Sequence, residues 1–281
     1  IMNVKFDNID IKSDSTKTAL VSECTGGYFY NIQITNINVL TSNQRAAGLI
    51  GHVNVGTPLV IEQVSINNTK EDYKIKASQR VGGLIAFSQA GSSYSSGAID
   101  ITISNCWVNA AIEGAYELGG IYGNYDCGNN TNCTYNLKIT HCVFTGTVTA
   151  TGSKTFAAGI LGYHKGAYAA MEITNCISVG KIYFAGVEVV TSLKNCSGIV
   201  GSTSTLVEGL NAKVSNCYAR MEEFNSDYDV TVWDKYAVLS ADNYLKRAGL
   251  DSEKWSLVYD NDSTTVVKAP YVNLNFLGEW E

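Results

Sequence analysis

Charge is scarce in this chain. Asp, Glu, Lys and Arg together make 16% of its 281 residues while apolar residues stand at 45%, against roughly a quarter charged in an ordinary soluble protein. Such a composition is neither disordered nor stabilised by surface charge, so the chain folds through burial, and it is long enough to bury a substantial core. Twenty basic residues against 26 acidic ones give a net charge of −6. They form no Lys/Arg cluster along the sequence, which argues against a phosphate-tracking surface and against nucleic acid as a partner. No run of about 18 apolar residues occurs, so no transmembrane segment is expected. Ile1 opens directly in an alternating pattern without a basic leader or cleavage motif, as expected of a mature or truncated chain. Proline is nearly missing, at Pro58 and Pro270 only, whereas Gly and Asn number 26 and 25. That balance suits many short strands joined by tight turns and disfavours long helices.

What the chain does have is internal repetition. A block reading apolar, polar, apolar, polar, amide, small or apolar recurs seven times: Val4-Lys5-Phe6-Asp7-Asn8-Ile9, then the blocks ending Asn36-Ile37, Gln63-Val64, Asn105-Cys106, His141-Cys142, Asn175-Cys176 and Asn216-Cys217. Successive last positions are 28, 27, 42, 36, 34 and 41 residues apart. A second block alternates with it: Thr18 to Ser22, Ala47-Gly48-Leu49-Ile50-Gly51, Gly82 to Ala86, Gly119 to Gly123, Ala158 to Gly162 and Ser197 to Gly201. The first block has the period of a strand with one buried face, and the second is a short apolar run between small residues, consistent with a buried strand. Neither buries its apolar face alone. Stacked repeats solve this by pairing equivalent strands in parallel about 4.8 Å apart, with loops of different length at the corners. The amides Asn8, Asn36, Gln63, Asn105, Asn175 and Asn216, with His141 among them, are then expected to form one hydrogen-bonded ladder along the stack.

The small-Gly-Leu/Ile-apolar-Gly block, alternating with Ile-x-Asn-Cys, resembles the GLUG-motif repeats of large extracellular and surface proteins. The resemblance covers roughly residues 1 to 220 and implies a right-handed parallel β-helix, often adhesin-like, with no reaction of its own. The expected fold is therefore all-β: a β-solenoid of about seven coils over residues 1–220, followed by a small mixed capping segment over 221–281. Three of the four tryptophans, Trp233, Trp255 and Trp280, lie in that segment, with a short helix expected from Ser240 to Gly249. The stretch from Leu250 to Leu274 is similar to the closing segment that often follows such repeats. A cap hides the last coil's unpaired backbone; no comparable cap is visible at the N-terminal coil, which makes self-association there an expected partner interaction.

Cys106, Cys142, Cys176 and Cys217 fall at one repeat position, where Ile9, Ile37 and Val64 stand in the earlier blocks, so they read as small core hydrophobes. Bridges from Cys106 to Cys142 or from Cys176 to Cys217 are the strained alternative. Cys127 and Cys133 bracket a five-residue polar loop and read as a local disulfide. A zinc site there is disfavoured by the unusual spacing and by having only His52, His141 and His164 in the chain. Of five Asn-x-Ser/Thr sequons, Asn67, Asn129, Asn132 and Asn261 are glycosylation candidates, and Asn195 is expected to be too buried. Sequons and loop disulfide together favour an extracellular or cell-surface location.

Outward positions pair no carboxylates on adjacent repeats, so a general acid with a second carboxylate is not assembled there. No catalytic residue, metal or cofactor is expected. The sequence points to a non-enzymatic structural or adhesive solenoid, in one form a fibre or filament subunit. The alternative is a β-helix that binds or acts on carbohydrate, with a glycan ligand and the tyrosines of the corner loops as stacking surfaces.

Overall fold

The computed structural model describes residues 1–90, 97–126, 133–166, 168–203, 212–221, 230–232, 255–258 and 271–274. Among these residues there is no helix, and all regular structure is β. None of the described residues forms a helix long and apolar enough to cross a membrane. The helix expected between Ser240 and Gly249 lies outside the described residues.

Three sheets are laid down in the same order by successive repeats. The first sheet carries Met2–Lys12, Gly27–Leu40, Leu59–Asn67, Gly97–Ser104, Cys133–Thr140, Ala169–Thr174 and Ala212–Ser215, each paired in parallel with the next. The second carries Lys17–Thr18, Arg45–Ala47, Arg80–Gly82, Glu117–Gly119, Phe156–Ala158 and Cys196–Ser197, all parallel. The third carries Val21–Cys24, Ile50–Val55, Ile85–Ala90, Tyr122–Asp126, Leu161–Lys165 and Val200–Thr203, again parallel. The first sheet is mixed, because Lys181–Phe184 pairs antiparallel with Val187–Glu188. Parallel pairing continues to Val230–Val232 beside Cys217–Ala219, whereas Trp255–Val258 and Tyr271–Leu274 form an antiparallel pair.

The alternating pattern explains the core. Ile61, Ile103, Ile139, Ile173 and Val214 stand opposite one another in consecutive repeats, as do Leu59, Ile101, Leu137, Met171 and Ala212. All of the first set and the first four of the second are buried. Each large member contributes about 1.5–3 kcal/mol from leaving water. A register slip of one residue would turn these side chains outward, so burial fixes the register.

One expectation fails here. The register places Asn8 opposite Asn36, but Gln63 faces Asn31, not Asn36. The file that continues through Gln63, Asn105, His141, Asn175 and Asn216 therefore begins at Asn3 and Asn31, five residues earlier than the sequence pattern implies. The same shift places Ile32, rather than Ile37, opposite Val64 and so in the cysteine file. The physical reason lies in the backbone. Every one of these positions has a left-handed φ of +51° to +60°, and so do Asn8 and Asn36. The first two long strands thus carry two such kinks each, and asparagine is the side-chain-bearing residue that tolerates them best. In the third repeat the chain leaves the sheet after Asn67. There Asn36 Oδ1 instead accepts from the backbone N–H of Thr69 (2.9 Å) and of Lys70 (3.2 Å), capping the loop.

Candidate functional site

The second and third sheets meet along a seam built by the small-residue block. A Cβ placed on Gly82 would stand 1.9 Å from the carbonyl oxygen of Ile85. One on Gly120 would stand 2.2 Å from the carbonyl oxygen of Gly159 in the next repeat. Only glycine lets the chain turn and the repeats close at these two places. Ala19, Ala47 and Ala86 form a small apolar cluster of their own, separate from the main core.

Just outside this block, register brings together residues far apart in sequence. On the second sheet the file runs Lys17, Arg45, Arg80, Glu117, Phe156, and on the third Glu23, His52, Phe87, Asn124, Tyr163. The files interlock across the seam. Lys17 Nζ lies 2.7 Å from Glu23 Oε1, and His52 Nδ1–H donates to the same oxygen at 3.1 Å. The Arg45 and Arg80 guanidinium groups lie 4.2 Å and 4.7 Å from the centre of the Phe87 ring, on which His52 also stacks. Arg80 Nε lies 2.9 Å from Glu117 Oε2. Phe156 and Tyr163 stack with centres 4.6 Å apart.

Burial and charge together set the protonation of this seam. Burial, with help from the charges of Arg45 and Lys17, depresses the His52 imidazole to about 4, so the ring is neutral. The hydrogen bond from Lys17 holds Glu23 below the usual carboxylate range. Burial raises Glu117 in spite of the opposing Arg80 charge, and burial followed by repulsion from Arg80 lowers Arg45. Next along the seam, Asp126 is paired with Lys165 at 2.8 Å. Glu23, Glu117 and Asp126 are each held by a cation, which fixes the position of these charges. Among the described residues no group of three or more His, Cys, Asp or Glu is placed to hold a metal ion.

The residues singled out from sequence fall elsewhere. Cys106, Cys142, Cys176 and Cys217 are fully buried, and no disulfide joins them to one another. The nearest acceptor for each S–H is the carbonyl two residues earlier in its own strand, from Cys106 to Ser104 at 3.1 Å through to Cys217 to Ser215 at 3.4 Å, and a carbonyl of the preceding repeat lies a little farther off, Ile61 for Cys106 and Ile173 for Cys217. Burial pushes the thiols of Cys142 and Cys176 well above the ordinary range. Cys24 and Cys196 form no disulfide either among the described residues. The proposed Cys127–Cys133 disulfide needs Cys127, which lies outside the described residues, as do the sequons at Asn129, Asn132 and Asn261. Asn67 accepts from Asn109 Nδ2 at 3.0 Å, and Asn195, half-buried, donates to the carbonyl of Thr155 at 2.7 Å. In the amide file, Asn31 donates to Asn3 at 2.8 Å, Asn175 to His141 Nε2 at 3.2 Å, and Asn216 to Asn175. With Nε2 accepting, His141 carries its proton on Nδ1, which donates to Thr140 Oγ1 at 2.7 Å.

The seam itself was not singled out by sequence reading. Its signal was positional: the residue one or two places before each small block (one for Lys17, two for Arg45, Arg80, Glu117 and Phe156) and the residue just after it carry the polar and aromatic side chains. No family model, curated protein or solved structure matches the chain.

Proposed function

We propose that the chain is a right-handed parallel β-helix, a solenoid of about seven coils followed by a small mixed cap, and that it is a non-enzymatic module of the cell exterior. Its role is that of a rigid spacer or adhesive element, and in one form a fibre subunit. The observation that supports this reading is the continuous parallel register of the first sheet from Met2 to Ser215. In it side-chain amides bond between paired strands, Asn31 to Asn3, Asn175 to His141 and Asn216 to Asn175. Side chains used in this way stiffen the stack. In the fibre form a second copy adds at the strand Met2–Lys12, most of whose side chains are exposed.

Incubation with a panel of polysaccharides tests the non-enzymatic role. The polymers should be recovered at unchanged length, and new reducing ends or unsaturated products would overturn it. Sedimentation over a range of concentrations tests the fibre form: a purely monomeric profile at every concentration would remove it.

A further inference from the structure

Lys17, Arg45 and Arg80 stand opposite one another in consecutive repeats, a basic file that no linear scan of the sequence sees. Its two outer members have carboxylate partners, Lys17 in Glu23 and Arg80 in Glu117. Arg45, between them, contacts no carboxylate among the described residues. Glu23 acts on it only from a distance, and the Glu23 carboxylate is already taken by Lys17 and His52. Arg45 is half-buried and has a like charge beside it in Arg80. Its Nε lies buried with no hydrogen-bond acceptor among the described residues; Arg80 Nε also makes no aligned hydrogen bond there, but it has the Glu117 carboxylate 2.9 Å away, and Arg45 has no such counter-charge. A cation held this way is unfavourable on its own and favourable once an anion arrives.

The surroundings also say which anion. Three cations against Glu23 and Glu117, with His52 neutral, leave a single excess positive charge, which matches a monoanion better than a phosphate dianion. Packing against Phe87 fixes the guanidinium, and a fixed planar fork presents paired N–H donors with the spacing of a carboxylate. We propose that Arg45, braced by Phe87 and flanked by Arg80, is a recognition site for a carboxylate ligand. The site goes beyond the scaffold role and does not depend on it. The carboxylate comes either from a small free acid or from an acidic sugar chain laid along the seam toward the Phe156–Tyr163 stack.

Calorimetric titration of the full chain at neutral pH and constant ionic strength, with acetate, a uronate trisaccharide, phosphate and chloride, tests this. Saturable binding of a carboxylate at one site is expected, weakened at least about tenfold by Arg45→Gln. Arg45→Lys keeps the charge but loses the fork, and should also weaken binding; it decides the matter if Arg45→Gln does not fold. Acetate binding as tightly as the trisaccharide identifies a free acid, and much tighter trisaccharide binding identifies the sugar-borne group. Absence of saturable carboxylate binding, tighter binding of phosphate, or unchanged binding in the folded Arg45 variants would overturn the proposal.

Discussion

His164 offers a quantitative test of how tightly the third sheet is closed. The ring is fully buried and packs against Tyr125 in the preceding repeat, with centres 5.5 Å apart. Burial drives its pKa down from 6.5 to about 4, outweighing the opposing pull of the backbone near Ala169 and at His164 itself. Because the folded value lies below the unfolded one, folding excludes a proton. The contribution is fully present above pH 6.5, shrinks as pH falls from there toward 4, and has gone below that. A displacement of that size corresponds to about 3 kcal/mol in full, and to about 2 kcal/mol between neutral pH and pH ~5. Urea unfolding of the wild type and of His164→Leu, each at these two pH values, isolates the effect. Any packing cost of the leucine, and titration of His52 and the carboxylates, is common to both arms. The wild type should lose about 2 kcal/mol more than the variant on acidification. Equal losses would mean that the ring is hydrated or already charged in the folded chain, and the burial ascribed to it would be wrong.

Three other outcomes follow from the same geometry. Asn175→Ala should destabilise by about 1–2 kcal/mol from the left-handed backbone alone, while Asn175→Gly removes that strain and leaves only the loss of the amide ladder. If alanine and glycine cost the same in chemical denaturation, φ at this position is not left-handed. Gly120→Ala would drive its methyl against the Gly159 carbonyl and the Phe144 ring. A loss of about 1–3 kcal/mol or more is expected, and a neutral result in thermal unfolding would contradict the close approach of repeats. Cys106, Cys142, Cys176 and Cys217 should resist an aromatic disulfide reagent in the folded chain and react on unfolding, as read by mass mapping; rapid labelling of the native protein would place them at the surface.

Much of the fold was legible because burial imposes a period of two on Ile101, Ile103, Ile139 and Ile173 and because the Gly-containing block recurs beside them. The register at the beginning was not. Gly27–Leu40 contains two amides in left-handed conformation five residues apart, Asn31 and Asn36, each preceded by alternating residues, so the pattern fits either register. Only pairing with Gln63 decides between them. The thiols of Cys106, Cys142, Cys176 and Cys217 are buried, but their small apolar character is shared by Ile9 and Ile37, so chemistry alone does not separate the two files. The seam was hidden because Lys17, Arg45 and Arg80 are isolated along the chain and become neighbours only when repeats pair. Charge patterns spread over intervals as long as a repeat carry no local signal.

Methyl-to-methyl nuclear Overhauser spectroscopy on a chain with labelled Ile, Leu, Val and Met methyls reaches the stacking most directly. Unbroken cross-peaks are expected from Ile61 to Ile103, Ile139, Ile173 and Val214 in turn, since neighbours in a parallel file stand about 4.8 Å apart. Strong cross-peaks confined to residues close in sequence, with none linking one of these positions to the next, would show that the repeats do not lie on one another.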